Sequence, residues 1–279
     1  MKQRIKSAVI GLLILGTVIF FYGTPVLNLA ISVIAILAVD ELIAAAGYTK
    51  NRPLSYAALL FAGLIPFFGP FFEMGLLTPV CFLFALYLFC LFLKQHKTLK
   101  IEQLSYVLFV TLMVPLSLTT FAYMRDLFGE EVGMYGVVMV LVGAWLSDTG
   151  AYFFGIAFGK HKLAPEISPK KTIEGAAGGV AVALLAQILA AWVYASYLSF
   201  NGVQAEMNYL AIILISPILS VLSIIGDLSA SVIKRQFGIK DFGKIMPGHG
   251  GVMDRFDSVL MVIPFVYIAF RYLTFIRIL

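Results

Sequence analysis

The sequence predicts an all-α, polytopic integral membrane protein of about nine transmembrane helices with its N-terminus in the cytoplasm. Three observations carry that reading. Hydrophobic residues make up 61% of the chain and charged ones 13%, against about 25% charged in an average protein. Apolar runs of roughly 17–25 residues, the length that crosses a bilayer, recur from end to end. The 20 Lys and Arg residues are placed asymmetrically: with alternate loops on opposite faces, all but Arg125, Arg271 and Arg277 share one side. The positive-inside rule makes that side cytoplasmic. A soluble globular protein is excluded, and the net charge of +5 reads as a topology signal with no nucleic-acid partner implied.

The expected spans are Ile5–Tyr22, Pro25–Ala46, Leu54–Phe72, Met74–Leu93, Leu104–Ala122, Val132–Phe158, Ile173–Leu198, Tyr209–Val232 and Ser258–Leu273. Lys2, Arg4 and Lys6 precede the first, which has no convincing small-residue cleavage site and is read as an uncleaved helix. The remaining cytoplasmic charge sits in the second loop (Lys50, Arg52), the fourth (Lys94, Lys97, Lys100), the sixth (Lys160, Lys162, Lys170, Lys171) and the eighth. Residues 1–131 form an N-terminal set of about five spans. Residues 132–279 form a C-terminal half that carries the chemistry, with cytoplasmic loops 159–172 and 233–257. Cys81 and Cys90, nine apart on one helix, point to opposite sides and are read as free thiols. Pro66, Pro70, Pro79, Pro115 and Pro217 are tolerable kinks, and Gly175, Gly178 and Gly179 let two helices approach closely.

The longest polar passage runs from Gly226 to Ser258. It sets Asp227, Asp241, Asp254 and Asp257 among Lys234, Arg235, Lys240, Lys244, His249 and Arg255. Carboxylates hold a hard divalent cation through oxygen, while Lys and Arg neutralise phosphate oxygens, so the mixture suits a metal-assisted phosphate reaction. The Gly248-His249-Gly250-Gly251 turn brings backbone close to a ligand and offers N–H groups to an anion. A solvated cationic loop is the plain alternative, but the number and spacing of the acids go beyond it. Acids also lie within spans, where each costs about 2.5–3.5 kcal/mol at a helix centre. Asp40 and Glu41 fall near the cytoplasmic end of the second span, Asp148 in the sixth and Asp227 near the end of the eighth. In Ser168-Pro169-Lys170-Lys171-Thr172-Ile173-Glu174-Gly175, a helix is expected to start near Thr172 as N-cap, and the two lysines to meet an anion together with the first amides.

Other motifs fail. Gly155-Ile156-Ala157-Phe158-Gly159-Lys160 is one residue short of a Walker loop and has His161 where Ser or Thr belongs. His96, His161 and His249 show no zinc spacing, and no Ser-His-Asp arrangement stands out. A secondary transporter would place its polar groups at the midplane in repeated halves, and no inverted repeat is visible.

Ser231-x-x-Lys234-Arg235-x4-Lys240-Asp241 followed by His249-Gly250-Gly251-x-x-Asp254-Arg255-x-Asp257, a run of 27 residues, resembles the signature of the phosphatidate cytidylyltransferase (CDP-diacylglycerol synthase) family. Asp148-Thr149-Gly150-Ala151-Tyr152 and the Ser168–Gly175 segment are similar to the same family. The spacing of Asp254 and Asp257 after a His-Gly-Gly turn separates it from the CDP-alcohol phosphotransferases. The resemblance implies a homodimeric enzyme of the bacterial inner membrane, its active site facing the cytoplasm. It would condense CTP with phosphatidate to give CDP-diacylglycerol and pyrophosphate, with Mg²⁺ required and a second cation able to join it. Asp227, Asp254 and Asp257 are then the candidate metal ligands. Lys170, Lys171, Lys234, Arg235 and Arg255 would grip triphosphate or lipid phosphate. His249, Gly250 and Gly251 would line the nucleotide pocket, Thr172 would bind substrate, and Asp148 would serve as a further ligand or as partner to one of the cations. Asp254 and Asp257, three residues apart, are expected on one face at the head of the last helix.

Overall fold

The computed structural model describes residues 2–71, 75–246, 248 and 250–279, which form two compact units. One contains residues 1–127 and 237–255, the other residues 128–236 and 256–279. The architecture is helical with only two small sheets. Among the described residues, six helices are long and apolar enough to cross a membrane: Pro25–Ala45, Leu77–Lys94, Ile101–Phe128, Glu130–Phe158, Ile173–Phe200 and Tyr209–Gln236. Three further expected spans appear as shorter apolar helices, Val9–Phe20, Arg52–Phe68 and Val259–Tyr272.

The first unit begins with α1 (Lys2–Phe20) and α2 (Pro25–Ala45), then α3 (Arg52–Leu64), α4 (Leu77–Lys94) and α5 (Ile101–Phe128). Thr24 caps α2 and Pro25 fits its first turn, where the missing N–H costs nothing. At Pro66 the third helix tightens into a 3₁₀ segment, Ile65–Phe71, which shortens the α-helical part of the expected span. Side chains of α2 take up carbonyls there: Ser32 Oγ donates to Gly63 O at 2.6 Å and Asn28 Nδ2 to Pro66 O at 2.7 Å. Arg125 completes the set. Its guanidinium donates to Tyr22 O, Thr24 O and Asn28 Oδ1 at 3.2, 2.9 and 2.9 Å, so a charged group is spent on joining the α1–α2 turn to α5. The thiols of Cys81 and Cys90 are free, as expected.

In the second unit the long span predicted over Val132–Phe158 is interrupted. Helix α6 (Glu130–Leu141) passes through a π-helical turn, Val142–Leu146, into α7 (Ser147–Phe158). Such a turn frees backbone carbonyls. Neighbouring polar side chains collect around it: Gln187 Nε2 donates to Met139 O at 2.7 Å, Ser223 Oγ to Ala144 O at 3.3 Å, and Ser147 Oγ meets Ser220 Oγ at 2.5 Å. Helix α8 (Ile173–Phe200) packs along α7, and α9 (Tyr209–Gln236) packs on α8. Two short antiparallel strand pairs accompany the helices, consistent with the expected all-α class. Strand β1 (Lys162–Ala164) pairs antiparallel with β2 (Ser168–Thr172) in the sixth loop, and β3 (Ala205–Met207) pairs with β4 (Ile276–Ile278) beyond α11 (Val259–Tyr272).

Glycine sets the α7–α8 distance. A Cβ on Gly175 would lie 2.7 Å from Ala151 O, and one on Gly179 would lie 2.7 Å from Ser147 O. The near-Walker run belongs to the same contact, because Gly155 and Gly159 make room for the Thr172 side chain. Replacing Gly179 by alanine forces the helices apart, and the expected loss is about 1–3 kcal/mol of stability. A fall in the thermal unfolding temperature in detergent, larger than for alanine at exposed Gly16, where a Cβ would meet nothing within 4 Å, checks this.

Candidate active site

Within the second unit the charged groups gather at the ends of α7 and α9 and around the strand pair. Asp148 stands in the first turn of α7, directly after the π-helical turn. Ser223 and Asp227 are one helical turn apart on α9; Ser223 Oγ donates to Asp148 Oδ1 at 3.4 Å and Ser231 Oγ to Asp227 Oδ1 at 3.4 Å. Lys171 reaches in from β2 and pairs with Asp227, Nζ to Oδ2, at 2.5 Å. Its Nζ is shut off from solvent, and that ion pair is the interaction it has to replace water. In an apolar setting an ammonium without a carboxylate partner would be strongly disfavoured.

The strand explains why Lys171 and Lys170 behave differently. Successive side chains on a strand point to opposite faces, so Lys171 is half-buried against Asp227 while Lys170 is exposed. The expectation that the pair would meet an anion side by side from a helix start is corrected on this point. The helix does begin at Thr172, whose Oγ1 accepts from Gly175 N at 3.1 Å. Glu174, in the first turn, accepts from the amides of Lys160 and His161 at 3.0 and 3.1 Å and from His161 Nδ1 at 2.6 Å, fixing the approach to β1.

Asp257 lies in the two-residue turn before α11, with its Oδ1 accepting from Ser258 N at 2.8 Å. Gly226 makes that position possible: a Cβ there would stand 2.5 Å from Asp257 O, so only glycine lets the turn lie against α9 beside Asp227. Burial pushes the Asp257 carboxyl up to about 7, and the Asp227 charge adds to the rise, while the Lys234 charge opposes it. Asp148, Asp227 and Asp257 thus sense one another in a space where Lys171 and Lys234 are the opposing cations. Arg235 is exposed and donates through Nε to Ile167 O at 3.4 Å.

The first unit holds the remaining expected residues. The loop between α9 and the one-turn helix α10 (Met253–Phe256) doubles back, with Met246 N donating to Gly250 O at 3.0 Å. Gly248 and Gly250 take φ of 80° and 88°, a region that side chains with a Cβ rarely enter. Asp254 is buried, and its Oδ2 accepts from Phe242 N at 2.8 Å and Gly251 N at 2.9 Å. Arg255 is exposed. His249 lies outside the described residues. Asp254 and Asp257 do not share a helix face: α10 ends at Phe256, and Asp257 occupies the turn before α11. The physical reason is that each carboxylate is engaged by local backbone N–H groups, which the i, i+3 spacing alone does not reveal.

Glu41 was only one of several intramembrane acids in the sequence, and the structure gives it a specific place. It is 5% exposed, and its two oxygens accept from Val252 N at 3.0 Å and Met253 N at 2.8 Å. No motif marks it; the signal was an acid retained near the end of an apolar span. Ser223, Ser258 and Gly226, which support the other carboxylates, had no such signal. Among the described residues no group of three or more His, Cys, Asp or Glu is arranged to hold a metal ion.

Long apolar helices with a half-buried carboxylate–lysine cluster define a polytopic membrane protein with a charged site. The profile of the cytidylyltransferase family matches residues 2–273. The chain belongs to that family and is a nucleotidyltransferase. The phosphatidate cytidylyltransferase of Bacillus subtilis (strain 168) is 33% identical over 274 residues, spanning 96% of each chain. Proteins of the same name from Staphylococcus haemolyticus (strain JCSC1435) and Staphylococcus epidermidis (strain ATCC 35984) are 32% and 34% identical over 269 residues, covering 96% of this chain and 98% of theirs.

The Lys171–Asp227 pair has a direct energetic test. Lys171→Met leaves three acids facing one fewer cation, and the expected loss, reduced from the fully buried case by the partial exposure of both partners, is about 1–3 kcal/mol. The double variant Lys171→Met/Asp227→Asn recovers part of it. Thermal unfolding of the four proteins, run as a double-mutant cycle, measures the coupling.

Proposed function

We propose that this enzyme transfers the cytidylyl group of CTP to phosphatidate at the cytoplasmic face of the inner membrane. End-to-end similarity to three proteins named phosphatidate cytidylyltransferase carries the reading. The chemistry of the cluster supports it. A phosphate oxygen of the lipid attacks the α-phosphorus of CTP, and the bond from that phosphorus to the bridging oxygen breaks. CDP-diacylglycerol and pyrophosphate result. Both reactants are anions, so the protein's work is to position them and to offset charge on the non-bridging oxygens.

Lys171 and Lys234 are the cations nearest the acids, and Lys170, Arg235 and Arg255 are exposed donors suited to triphosphate or lipid phosphate. Gly250 and Gly251, with His249, would line the nucleotide site, and Thr172 would be a substrate-binding residue. Asp227 and Asp257 would supply carboxylate oxygens for Mg²⁺, and Asp254 is the third candidate ligand. Their fit rests on charge: three acids that include Asp148 share two lysines, and Asp257 is held up near 7 by burial and by Asp227. A divalent cation would relieve that excess. Mg²⁺ is commonly held by one or two carboxylates plus substrate phosphates, and it would supply positive charge to the oxygens of the transferring group. Asp254 has a second task, since Oδ2 already holds two loop amides. The resemblance further implies a homodimer, the state we assign.

Purified protein given phosphatidate, CTP and Mg²⁺ should release pyrophosphate and form CDP-diacylglycerol. Asp227→Asn should lower turnover by about 100-fold or more with folding matched, on the scale of losing one electrostatic group from a site. A folded wild type that makes no CTP-dependent product overturns the reading.

All nine apolar helices are proposed to cross the membrane, including the 14-residue α11, which at about 1.5 Å per residue is shorter than a typical hydrocarbon core of about 30 Å and so implies local adjustment at its ends. An odd number of spans puts the termini on opposite sides. Single cysteines at either end, in a background without Cys81 and Cys90, should label from the cytoplasm at the N-terminus and from outside at the C-terminus. Both termini labelling from one side would refute nine spans.

A further inference from the structure

Among the described residues Glu41 is the most deeply placed acid of the first unit, and none of the roles assigned above uses it. Its neighbour Asp40 is exposed, so α2 turns one acid inward and the other to solvent. The inward carboxylate reaches across 211 residues of sequence to Val252 N and across 212 to Met253 N. Each oxygen takes one of two consecutive amides. Gly243 and Gly251 press on the same carboxylate, and a Cβ on either would overlap its oxygens. The loop is therefore shaped around Glu41.

Only a carboxylate suits that place. It accepts at both oxygens, whereas a glutamine would turn one NH₂ donor toward an N–H donor. Burying it is costly unless its oxygens are met by hydrogen bonds, and the two loop amides meet them. Asp254 does the complementary job in the same loop by accepting from Phe242 N and Gly251 N. Four amides on either side of the glycine turn are thus held by two acids, one local and one from a distant helix.

We propose that Glu41 is a positioning residue for cytidylyl transfer: from α2 it fixes the Gly250–Asp254 segment in the form that receives CTP. This rests on the assignment of that segment to the nucleotide site. Glu41→Gln then lowers kcat/KM for CTP by about 10- to 100-fold, the scale of a lost hydrogen bond to a charged group. KM for phosphatidate stays at its wild-type value, and Glu41→Asp restores part of the CTP effect. Gly251→Ala, which pushes a methyl into an intact Glu41, gives the same split between substrates and replaces Glu41→Gln in the comparison if that variant does not fold.

The experiment is steady-state kinetics with each substrate varied in turn, on wild type and variants of matched unfolding temperature, with hydrogen exchange read over peptides covering residues 250–254. The expected result is the CTP-specific loss together with faster exchange in those peptides. Wild-type CTP kinetics, unchanged exchange, or an equal loss toward both substrates that follows a lowered unfolding temperature would each overturn the proposal. A folded wild type without CTP-dependent product overturns the functional reading and this one with it, whereas an active wild type beside an unaltered Glu41→Gln overturns this one alone.

Discussion

A carboxylate taken into apolar surroundings must be given substitutes for water, and much of this structure follows from that constraint. Two solutions appear. In the second unit Asp227 is met by a lysine, with hydroxyls from Ser223 and Ser231 serving Asp148 and Asp227. In the first unit Asp254 and Glu41 are met by main-chain amides. The difference has consequences. A lysine–carboxylate pair can exchange partners when an anion or a cation arrives, because each member remains charged. A carboxylate filled by amides cannot release them without unmaking the loop. One arrangement is suited to chemistry and the other to shape.

Glycine is what lets the backbone supply those substitutes. Gly226 brings the Asp257 turn against α9, Gly243 and Gly251 let a loop close on Glu41, and Gly175 and Gly179 bring α8 close to α7 at the head of which Asp148 stands. In each case a methyl group would stand at or inside van der Waals contact with a carbonyl or carboxylate oxygen. These glycines therefore act as clearance for polar groups, while Gly248 and Gly250 are among those that let the backbone turn left-handed.

The sequence made the helices legible because apolar runs of membrane length leave few alternatives. The starts at Pro25, Ile173 and Tyr209 agree with the structure to the residue, helped at the first two by Thr24 and Thr172 as caps. Legibility failed where geometry depends on tertiary partners. The π-helical turn at Val142–Leu146 has no local signal, and the side chains that meet carbonyls in and beside it come from α8 and α9. The one-turn α10 and the break at Asp257 contradict a simple helical spacing because Asp254 is drawn to Phe242 and Gly251. Acids were found readily, as charges in apolar runs stand out. Their companions, small and uncharged, did not.

Lysine shows the limit most clearly. Lys170 and Lys171 both count toward the positive-inside asymmetry, and a count of charges treats them alike. The strand separates them by its two-residue period, sending one to solvent and the other to Asp227. In the proposed orientation, topology and charge compensation draw on the same residues: a lysine that would keep its loop on the cytoplasmic side is already near acids at the ends of α7 and α9. An enzyme acting on two anionic phosphates at a membrane surface needs cations in that layer in any case. The orientation signal and the site need no separate sets of residues, which is why a chain with so few charges can specify both.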